Sequence, residues 1–510
     1  MVSGKSTFEK ANRRSVLKAA AFGALGVGVL GGSVDATETD YRNVIDVVDA
    51  GADNSGEESI TPVLEDVRAD DTLLKFPPGE YYMDSQFRFT GFSNFGIVGD
   101  DATVVPADYW SFEGPTYRLF RLGTDRNPGG RIRFEGITVD QRAPSTGVRV
   151  IDAAADAELR VRDVHLVGEH DSGLFGPARF SIRDPNGRGV VERFEAPDGA
   201  AWVRDTPNAG TDPWDRGPTG VFANTNRGEL LFKDCVLGAF PSTGLYASGG
   251  SGQIRVEGGR YANSNVAQIR LGGSDSYVRG ASIVVDDTRD PDVVQQGIRL
   301  TTGRDLRVLD SEVTISVTGP GNHALLVDDA VDSVWIEGST IETVGDEPNT
   351  GIFVESDAGE TTILQTEIDQ SVPGGYGVLL RDGSASVTCQ ELSITGDAGD
   401  EGARCGIINY RDDAEFRAVE IDQTEGDDRI GLRNSGDDVL VYDGRYLSSY
   451  YPIVDHGTGT WVEAVHADSA GDRPAVLMAE DSADALIKES RLVDGIENQG
   501  EDLRTWGNSY

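Results

Sequence analysis

Short apolar segments recur along the chain at a regular distance, from about residue 220 to the C-terminus. Each segment starts with Gly or a similar residue and then alternates inward and outward side chains with a period of two, as a β-strand does. Successive segments start about 20 to 30 residues apart, and about 25 on average, which is a solenoid period. The segments start at Gly220, Gly244, Gln268, Gly297, Ala324, Gly351, Gly377, Gly406, Gly431, Pro452, Pro474 and Gly495.

A second apolar block follows a polar turn in each period, for example IRVEGG at residues 254–259 and VWIEGS at residues 334–339. These blocks also alternate with period two, and their Gly, Asp and Ser residues mark a bend between two strands. Two or three short strands per turn of about 25 residues predict a parallel β-helix, in which each coil bonds to the next around an apolar column. The consensus of a leucine-rich repeat is missing, and a propeller would need longer, four-stranded units.

The chain before the regular coils carries a different set of signals. Residues 61–67 (TPVLEDV) are predicted to form a short helix with Pro62 in its first turn, which would cap the open end of the coil stack. Residues 47–53 (VVDAGAD), this helix and residues 76–81 (FPPGEY) resemble the N-terminal start of the pectin-lyase-like superfamily. The resemblance covers residues 43–105 by motif and the rest by period. It implies an all-β fold: a single-stranded, right-handed parallel β-helix with an N-terminal capping helix.

The catalytic motifs of that superfamily do not carry over with the fold. Polygalacturonase-like members pair an Asn-Thr-Asp segment with Gly-His-Gly and Arg-Ile-Lys segments. In this chain the segment at residues 224–226 reads NTN and lacks the acid, and the DHG segment at residues 455–457 has no Arg-Ile-Lys after it. The superfamily contains lyases, glycosidases, epimerases and inert adhesins, so the resemblance implies a fold and not an activity.

Acidic residues outnumber basic ones by 86 to 45, and the formal net charge is −41. Nearly all of the basic residues are Arg, and the acids are spread along the whole length. A dense carboxylate surface holds water, and salt screens its self-repulsion, so the composition indicates a halophilic protein. An ordinary acidic secreted protein is the alternative. Nucleic acid is not expected as a partner, because its phosphates would be repelled.

The N-terminus is typical of a targeting segment. Residues 12–18 (NRRSVLK) match the twin-arginine (Tat) pattern, the apolar run at residues 19–32 is too short and glycine-rich to span a membrane, and residues 34–36 (VDA) suit a signal peptidase. We therefore expect a haloarchaeal protein that is exported through the Tat pathway and is extracellular. The predicted segments are a signal peptide at 1–36, an N-terminal cap at 37–105, first coils at 106–168, an inserted loop at 169–219 and regular coils at 220–510.

The predicted insertion is the first candidate site, because the coil rhythm is lost there and long insertions in a solenoid often carry function. We expect its aromatic residues to stack on sugar rings and its ionisable residues to act on them. The catalytic candidates are His170, Asp171, Asp212 and Asp215, and the substrate-binding candidates are Trp202, Trp214 and Arg216. The alternative is a structural flap whose tryptophans pack onto the coils.

The outward column of the repeated strand is the second candidate site. Stacked coils place equivalent side chains about 4.8 Å apart, so Phe222, Tyr246, Arg270 and Arg299 would form a platform for an anionic polysaccharide. The alternative is that both arginines pair with neighbouring acids. The column continues with apolar residues, which are unusual in solvent and indicate contact with the insertion, a partner or a second protomer. These residues are Leu326, Phe353, Leu379 and Ile408.

Polar and sulfur-containing residues complete the sequence predictions. One inward position of the late coils is polar, which predicts a hydrogen-bonded ladder along the stack. Its residues are Asn409, Asn434, Asp455 and Asn498.

The three cysteines are expected to be buried thiols, with a Cys389–Cys405 disulfide as the alternative. They are Cys235, Cys389 and Cys405. The scattered Cys and His residues give no zinc spacing. The abundant acids leave calcium open as a cofactor, although no cluster of them marks a site.

Two functions remain open from the sequence. The first is an extracellular β-helix that binds or cleaves a polysaccharide in high salt, as a polysaccharide lyase or a glycoside hydrolase does. The second is a non-catalytic cell-surface, adhesion or structural β-helix. The aromatic and arginine residues of the two candidate sites favour the first, and the absence of a catalytic motif favours the second.

Overall fold

A computed structural model of the chain describes residues 40–510 except 115, 173–174, 207–216, 289–293, 318–321 and 400–404. The predicted signal peptide therefore lies outside the described residues. In the described part of the chain, no helix is both long enough and apolar enough to cross a membrane. Residues Tyr41–Tyr510 form one compact unit, a parallel β-solenoid of about 16 turns, whose described residues include a single α-helix.

The described part of the chain consists of short strands. The helix is α1 (Thr61–Val67). The strands of the first coils are β1 (Asn43–Asp46), β2 (Ser55–Ser59), β3 (Thr72–Phe76), β4 (Gly79–Met83), β5 (Phe87–Phe89), β6 (Asn94–Pro106), β7 (Arg118–Leu122), β8 (Gly129–Asp140), β9 (Arg149–Val167), β10 (Ala178–Ile182) and β11 (Arg188–Ala196).

The strands of the regular coils are β12 (Val221–Phe222), β13 (Glu229–Lys233), β14 (Val236–Leu237), β15 (Thr243–Ala247), β16 (Ile254–Glu257), β17 (Arg260–Ala262), β18 (Ala267–Leu271), β19 (Tyr277–Arg279), β20 (Ser282–Val285), β21 (Gln296–Leu300), β22 (Leu306–Leu309), β23 (Glu312–Ile315), β24 (His323–Val327), β25 (Ser333–Glu337), β26 (Thr340–Val344), β27 (Thr350–Val354), β28 (Glu360–Leu364) and β29 (Glu367–Ser371). They continue with β30 (Val378–Gly383), β31 (Val387–Gln390), β32 (Ser393–Thr395), β33 (Cys405–Arg411), β34 (Glu415–Arg417), β35 (Glu420–Gln423), β36 (Ile430–Asn434), β37 (Leu440–Tyr442), β38 (Arg445–Ser448), β39 (Ile453–Asp455), β40 (Trp461–Glu463), β41 (His466–Ser469), β42 (Val476–Met478), β43 (Leu486–Lys488), β44 (Arg491–Leu492), β45 (Ile496–Asn498) and β46 (Arg504–Trp506).

Parallel pairing sorts these strands into three faces. The first face contains β5, β7, the start of β9, β10, β12 and every third strand from β15 to β45. The second face runs from β1 and β3 through β11 and β13 to β46, and the third runs from β2 and β4 through β14 to β44. The long strands β6, β8, β9 and β11 bend from the second face to the third. The repeated strand predicted from the sequence is thus the first face, and the fold prediction is confirmed.

The bend between the second and third faces explains the glycine and aspartate residues inside the second apolar block. One residue per coil adopts a left-handed backbone there, such as Asp234 (φ 50°), Gly258 (φ 62°) and Gly338 (φ 63°). Gly and Asp tolerate this conformation better than residues with bulky or branched side chains, so they recur at the bend.

The core is the apolar column that the alternation predicts. Ile298, Ile352, Val378 and Leu432 have 0% exposed surface, and they belong to one buried cluster. Register pairing connects them rung by rung through the intervening residues Leu325 and Ile407. The helix α1 adds its buried Leu64 to the same cluster. Burial of one such side chain contributes about 1.5–3 kcal/mol, so the column is the main source of stability.

The stretch predicted to be an inserted loop, residues 169–219, contains strands of the solenoid. β10 pairs with β9 before it and β12 after it, and β11 pairs with β9, β13 and β14. The coil rhythm therefore continues through the stretch. The sequence pattern did not reveal this rhythm, because the chain connects β11 and β12 through a longer segment whose described residues contain no strand.

The predicted polar ladder forms in part. Asn409 Nδ2 donates to Asn434 Oδ1 over 2.9 Å, and Asn434 Nδ2 donates to Asp455 Oδ1 over 2.8 Å. Met478 pairs with Asp455 on the next coil and interrupts the ladder. Asn498, which pairs with Met478 on the following coil, is exposed. The inclusion of Asn498 was therefore wrong, because an apolar rung separates it from the others.

All three cysteines are buried thiols that form no disulfide, so the alternative of a Cys389–Cys405 disulfide is wrong. Cys389 lies in the central apolar column. Cys405 belongs to a second apolar cluster with Leu379, Ile408 and Val454. The two cysteines therefore lie in different apolar clusters.

Candidate functional site

The outward column of the first face has the register that the sequence predicts. Phe222 pairs with Tyr246, Tyr246 with Arg270, and Arg270 with Arg299, each on the next coil. Stacked parallel strands lie about 4.8 Å apart, so these four side chains form a continuous surface about 15 Å long. All four are partly exposed.

Aromatic rings and a cation are fixed against one another in this column. The Phe222 and Tyr246 ring centroids lie 5.9 Å apart with an interplanar angle of 64°. The Arg270 Cζ lies 4.8 Å from the centroid of the Tyr246 ring, which is a cation–π contact. The guanidinium group is therefore held in place before any ligand arrives.

Arg299 makes the ion pair that the sequence left open as an alternative. Its Nε lies 3.0 and 2.9 Å from the two carboxylate oxygens of Asp328. The Asp328 side chain is only 14% exposed. Burial raises the pKa of Asp328, although the positive charges of Arg299 and Arg270 oppose that shift.

Glu355 occupies the equivalent place one coil later. Asp328 and Glu355 directly follow the paired residues Val327 and Val354, so they are neighbours along the stack. Burial raises the pKa of Glu355, and repulsion from Asp328 raises it further, while the nearby Arg381 lowers it. The site thus brings two carboxyl groups together beside three guanidinium groups.

This arrangement suits proton transfer to or from an anionic ligand. A carboxyl group with a raised pKa exchanges its proton closer to neutral pH than an ordinary one does. Guanidinium groups bind carboxylate or sulfate oxygens and stabilise negative charge that develops beside them. The candidate site is therefore Tyr246, Arg270, Arg299, Asp328 and Glu355.

The sequence analysis identified the platform but missed Asp328 and Glu355. A signal for them exists in the alignment of coils. Each is the first residue after a repeated strand. The two coils that precede Asp328 carry Gly272 and Thr301 at this position. Two acids in succession at a position of small residues indicate a site, but the abundance of acids elsewhere hid the pattern.

Two of the predicted catalytic residues, His170 and Asp171, form hydrogen bonds with neighbouring parts of the chain. His170 is 1% exposed, and its Nε2 lies 2.8 Å from Ser172 Oγ and 2.6 Å from the Phe175 carbonyl oxygen. Burial lowers the pKa of His170 to about 4. Asp171 accepts hydrogen bonds from the backbone N–H groups of Ser145 and Gly147. Both side chains stabilise the local backbone conformation, and neither lies on the platform of the first face.

The remaining predicted residues of the stretch 169–219 fall in two groups. Trp202 is partly exposed, and Arg204 Cζ lies 5.1 Å from its ring centroid. The other predicted residues lie outside the described part of the chain, namely Asp212, Trp214, Asp215 and Arg216.

The apolar continuation of the column is covered by the same chain. Leu326 is 4%, Leu379 9% and Ile408 3% exposed, and Phe353 is partly buried. Leu379 and Ile408 pack in the second apolar cluster with Ile430, Tyr451 and Val454. Most of the column is therefore buried within this chain, and an oligomer through it stays a prediction.

No metal-binding cluster occurs within the described ranges, since no three His, Cys, Asp or Glu side chains there are placed to hold a metal ion. The question of calcium therefore stays open for experiment.

Comparison with solved structures finds several β-helix proteins of low similarity to this chain. It resembles the A-module of the mannuronan C-5 epimerase AlgE6 from Azotobacter vinelandii, with 14% identity over 71% of this chain and 100% of that one and a TM-score of 0.40. The fold is the right-handed parallel β-helix. It also resembles the surface adhesin PfbA of Streptococcus pneumoniae, with 10% identity, 92% and 99% coverage and a TM-score of 0.37.

A third similar structure is the DFA-IIIase of Arthrobacter chlorophenolicus A6, with 13% identity over 87% of this chain and 93% of that one and a TM-score of 0.32. No family model and no curated protein matches the chain. The similarities concern the fold alone, so the functional argument depends on the residues of this chain.

Proposed function

We propose that this protein binds an acidic polysaccharide along the outward column of the first face and cleaves it by acid–base chemistry at Asp328 and Glu355. The observation that carries the proposal is the pair of neighbouring carboxyl groups with raised pKa values beside Arg270 and Arg299. The Tyr246 ring, which packs against the Arg270 guanidinium group, extends the surface toward the N-terminal coils.

The substrate that suits this surface is a polymer of uronic acids. An arginine that binds the uronate carboxylate withdraws charge from it and makes the neighbouring C–H bond more acidic. One carboxylate of the pair then accepts that proton, and the bond from the adjacent ring carbon to the glycosidic oxygen breaks. Its electron pair leaves with the oxygen, which takes a proton from the second carboxyl group. The product of this β-elimination carries a new carbon–carbon double bond.

Hydrolysis by the same two carboxyl groups is the other cleavage reaction that this arrangement supports. In that case one carboxyl group protonates the glycosidic oxygen and the other activates water or attacks the sugar. The two reactions differ in their products, since only elimination creates an unsaturated sugar end that absorbs ultraviolet light. Both need the same residues and the same acidic substrate.

The test is an assay of residues 37–510 in concentrated salt with uronate, sulfated and neutral polysaccharides, with calcium or with a chelator. Unsaturated ends and reducing ends are measured together with binding. We expect Glu355→Gln and Asp328→Asn to lose turnover by about 100-fold or more, with binding largely retained. The matched control Glu342→Gln changes an exposed acid of the third face and should keep full activity.

Binding without turnover by the unaltered protein would contradict the catalytic part of the proposal. It would instead favour a non-catalytic cell-surface or adhesion protein. The absence of both binding and turnover on every polysaccharide would overturn the proposal as a whole.

We also propose that the protein works outside the cell in concentrated salt. The twin-arginine segment at residues 12–18 and the excess of 86 acidic over 45 basic residues support this proposal. Salt would screen the repulsion between the acidic surface and an acidic polymer. Fusion of residues 1–36 to a reporter tests export. Replacement of Arg13 and Arg14 by Lys should abolish it, and a reporter exported equally well after that change would contradict the Tat assignment.

A further inference from the structure

A second group of arginines lies on the first face, N-terminal to Phe222. Arg121 pairs with Asp152, Asp152 with Arg179, and Arg179 with Phe222 on successive coils. Arg121, Asp152 and Arg179 are therefore on the same outward column as the proposed catalytic site. We call it the arginine cluster, and it consists of Arg118, Arg121, Arg149, Arg179 and Arg183 with the acids Asp125 and Asp152.

The two acids of the arginine cluster do not balance its five guanidinium groups. Arg118 hydrogen-bonds Asp152, whose carboxylate also lies 3.9 Å from Arg149 Nη1. Arg179 Nη2 lies 2.8 Å from Asp125 Oδ2, and Arg183 Nη1 lies 3.6 Å from Asp125 Oδ1. An excess of positive charge at one place is unusual in a chain whose net charge is −41.

Arg149 is the residue that makes this cluster a binding site rather than a surface patch. Its side chain is only 4% exposed. Its Nε donates to the Gly176 carbonyl oxygen over 3.1 Å, but its Nη2 has no hydrogen-bond partner among the described residues. Arg121 Nε is also buried and has no hydrogen-bond partner among the described residues. A buried N–H group without an acceptor costs about 1–3 kcal/mol, and more when it is charged.

The surroundings of Arg149 make an anion the natural missing partner. Its Cζ lies 5.2 Å from the Phe175 ring centroid and 5.6 Å from that of Phe222, so the guanidinium group is held between aromatic rings. Burial and repulsion from Arg118, Arg179 and Arg121 lower the pKa of Arg149 to about 10. An oxyanion would satisfy the free N–H group and reduce this repulsion.

A ligand can reach the cluster from one side. The side chains of Arg179 and Asp125 are 24% and 36% exposed, and Arg179 also donates to Thr225 Oγ1 over 2.9 Å. A cleft opens beside them, lined by Asp125 and Arg183 of the cluster and by residues 224–227. The cleft thus leads from solvent to the Asp125–Arg183 end of the cluster.

We propose that the arginine cluster binds an anionic substituent, a sulfate ester or a carboxylate, of a polysaccharide that extends over Phe222 and Tyr246. The inference rests on the proposed function for its class of ligand. It adds an anchoring site that determines which acidic polymers bind, at a distance from the carboxyl pair. Arg149 touches Phe222, so an anchored chain leads directly onto the aromatic platform.

The experiment measures binding of oligosaccharides with one backbone in neutral, carboxylated and sulfated forms. The proteins are the unaltered chain, Arg149→Met, Arg179→Met and the exposed control Arg304→Met. We expect one or both charged forms to bind at least about tenfold more tightly than the neutral form. Arg149→Met and Arg179→Met should remove that preference, and Arg304→Met should keep it. Because the site is buried, the preference should persist in concentrated chloride.

The two charged oligosaccharides identify the source of the anion, and inorganic sulfate serves as a small probe. Stabilisation of the unaltered protein by sulfate against heat, and its loss in Arg149→Met, would support the proposal. Equal binding of all three oligosaccharides, or a preference that survives in both Arg149→Met and Arg179→Met, would overturn it. The melting temperature of each variant without ligand shows whether it is folded, and Arg179→Met tests the site if Arg149→Met is not.

Failure of the anchor and failure of the catalytic proposal give different results. If the cluster binds anions but Glu355→Gln has unchanged turnover, the anchoring site is supported and the catalytic role of Glu355 is refuted. If Glu355→Gln loses turnover but the cluster variants bind every polymer as the unaltered chain does, the anchor falls and the carboxyl pair stands.

Discussion

Arg411 donates from its Nη2 to the backbone carbonyl oxygen of Glu355, 2.9 Å away and two coils earlier in the stack. Its Nη1 donates to the Ala358 carbonyl oxygen over 2.8 Å, and its Nε donates to that of Arg381. Arg411 is 0% exposed. One buried side chain therefore links three coils and fixes the backbone that carries Glu355 and Arg381.

Replacement of Arg411 by Met should destabilise the solenoid at the candidate site. The change removes three hydrogen bonds and leaves buried carbonyl groups without donors, so we expect the free energy of unfolding to fall by about 3 kcal/mol or more. Thermal unfolding in concentrated salt measures the change. Arg417→Met is the control, because Arg417 forms an exposed pair with Glu415 that is worth about 1 kcal/mol at most. Equal melting temperatures for the two variants would contradict the role of Arg411.

The Arg299–Asp328 pair predicts the direction of a pH effect. The positive charge of Arg299 lowers the pKa of Asp328 against the larger effect of burial, so Arg299→Ala should raise that pKa further. Activity that needs the ionised carboxylate would then begin at a higher pH, and the acid limb of the pH–activity profile should move upward. Arg255→Ala, which breaks a pair with Glu229 on the second face, should leave the limb in place. A shift to lower pH in Arg299→Ala would refute the assignment.

His170 should make the protein sensitive to mild acid. Its pKa is lowered to about 4 in the folded chain, whereas an unfolded histidine titrates near its ordinary value of 6.5. Between these values the unfolded state binds more protons, so stability is full above about pH 6.5 and falls as the pH drops toward 4. His170→Gln should flatten this part of the stability curve. His165→Gln is the control, since the His165 side chain is 42% exposed. An unchanged slope in His170→Gln would show that other groups cause the acid sensitivity.

The cysteines should react only after unfolding. Burial raises the pKa values of Cys235 and Cys389 to about 12, so at neutral pH these thiols are neither ionised nor accessible. We expect almost no alkylation of the folded protein and modification of all three cysteines in denaturant without a reductant. Intact mass measures both. A requirement for reductant before full modification would reveal a disulfide and contradict the buried free thiols.

The register of the first face was predictable because alternation leaves few choices. A shift of one residue would place Ile298, Ile352 and Leu432 in solvent and Arg270 and Arg299 in the core, at a large cost in free energy. Local pattern therefore decides which side chains face inward. The same pattern failed between residues 169 and 219, where β10 and β11 continue the coils before a longer connection.

Sequence alone determined the coil, its period and the outward column of Phe222, Tyr246, Arg270 and Arg299, because burial of apolar side chains repeats at every turn. Tertiary structure decided which charges meet: Arg299 with Asp328, Asp328 with Glu355, and Arg149 with four other arginines. Those contacts join residues 27 to 34 positions apart through connections of unequal length. The energy of each charged pair depends on burial and distance, which no local pattern specifies.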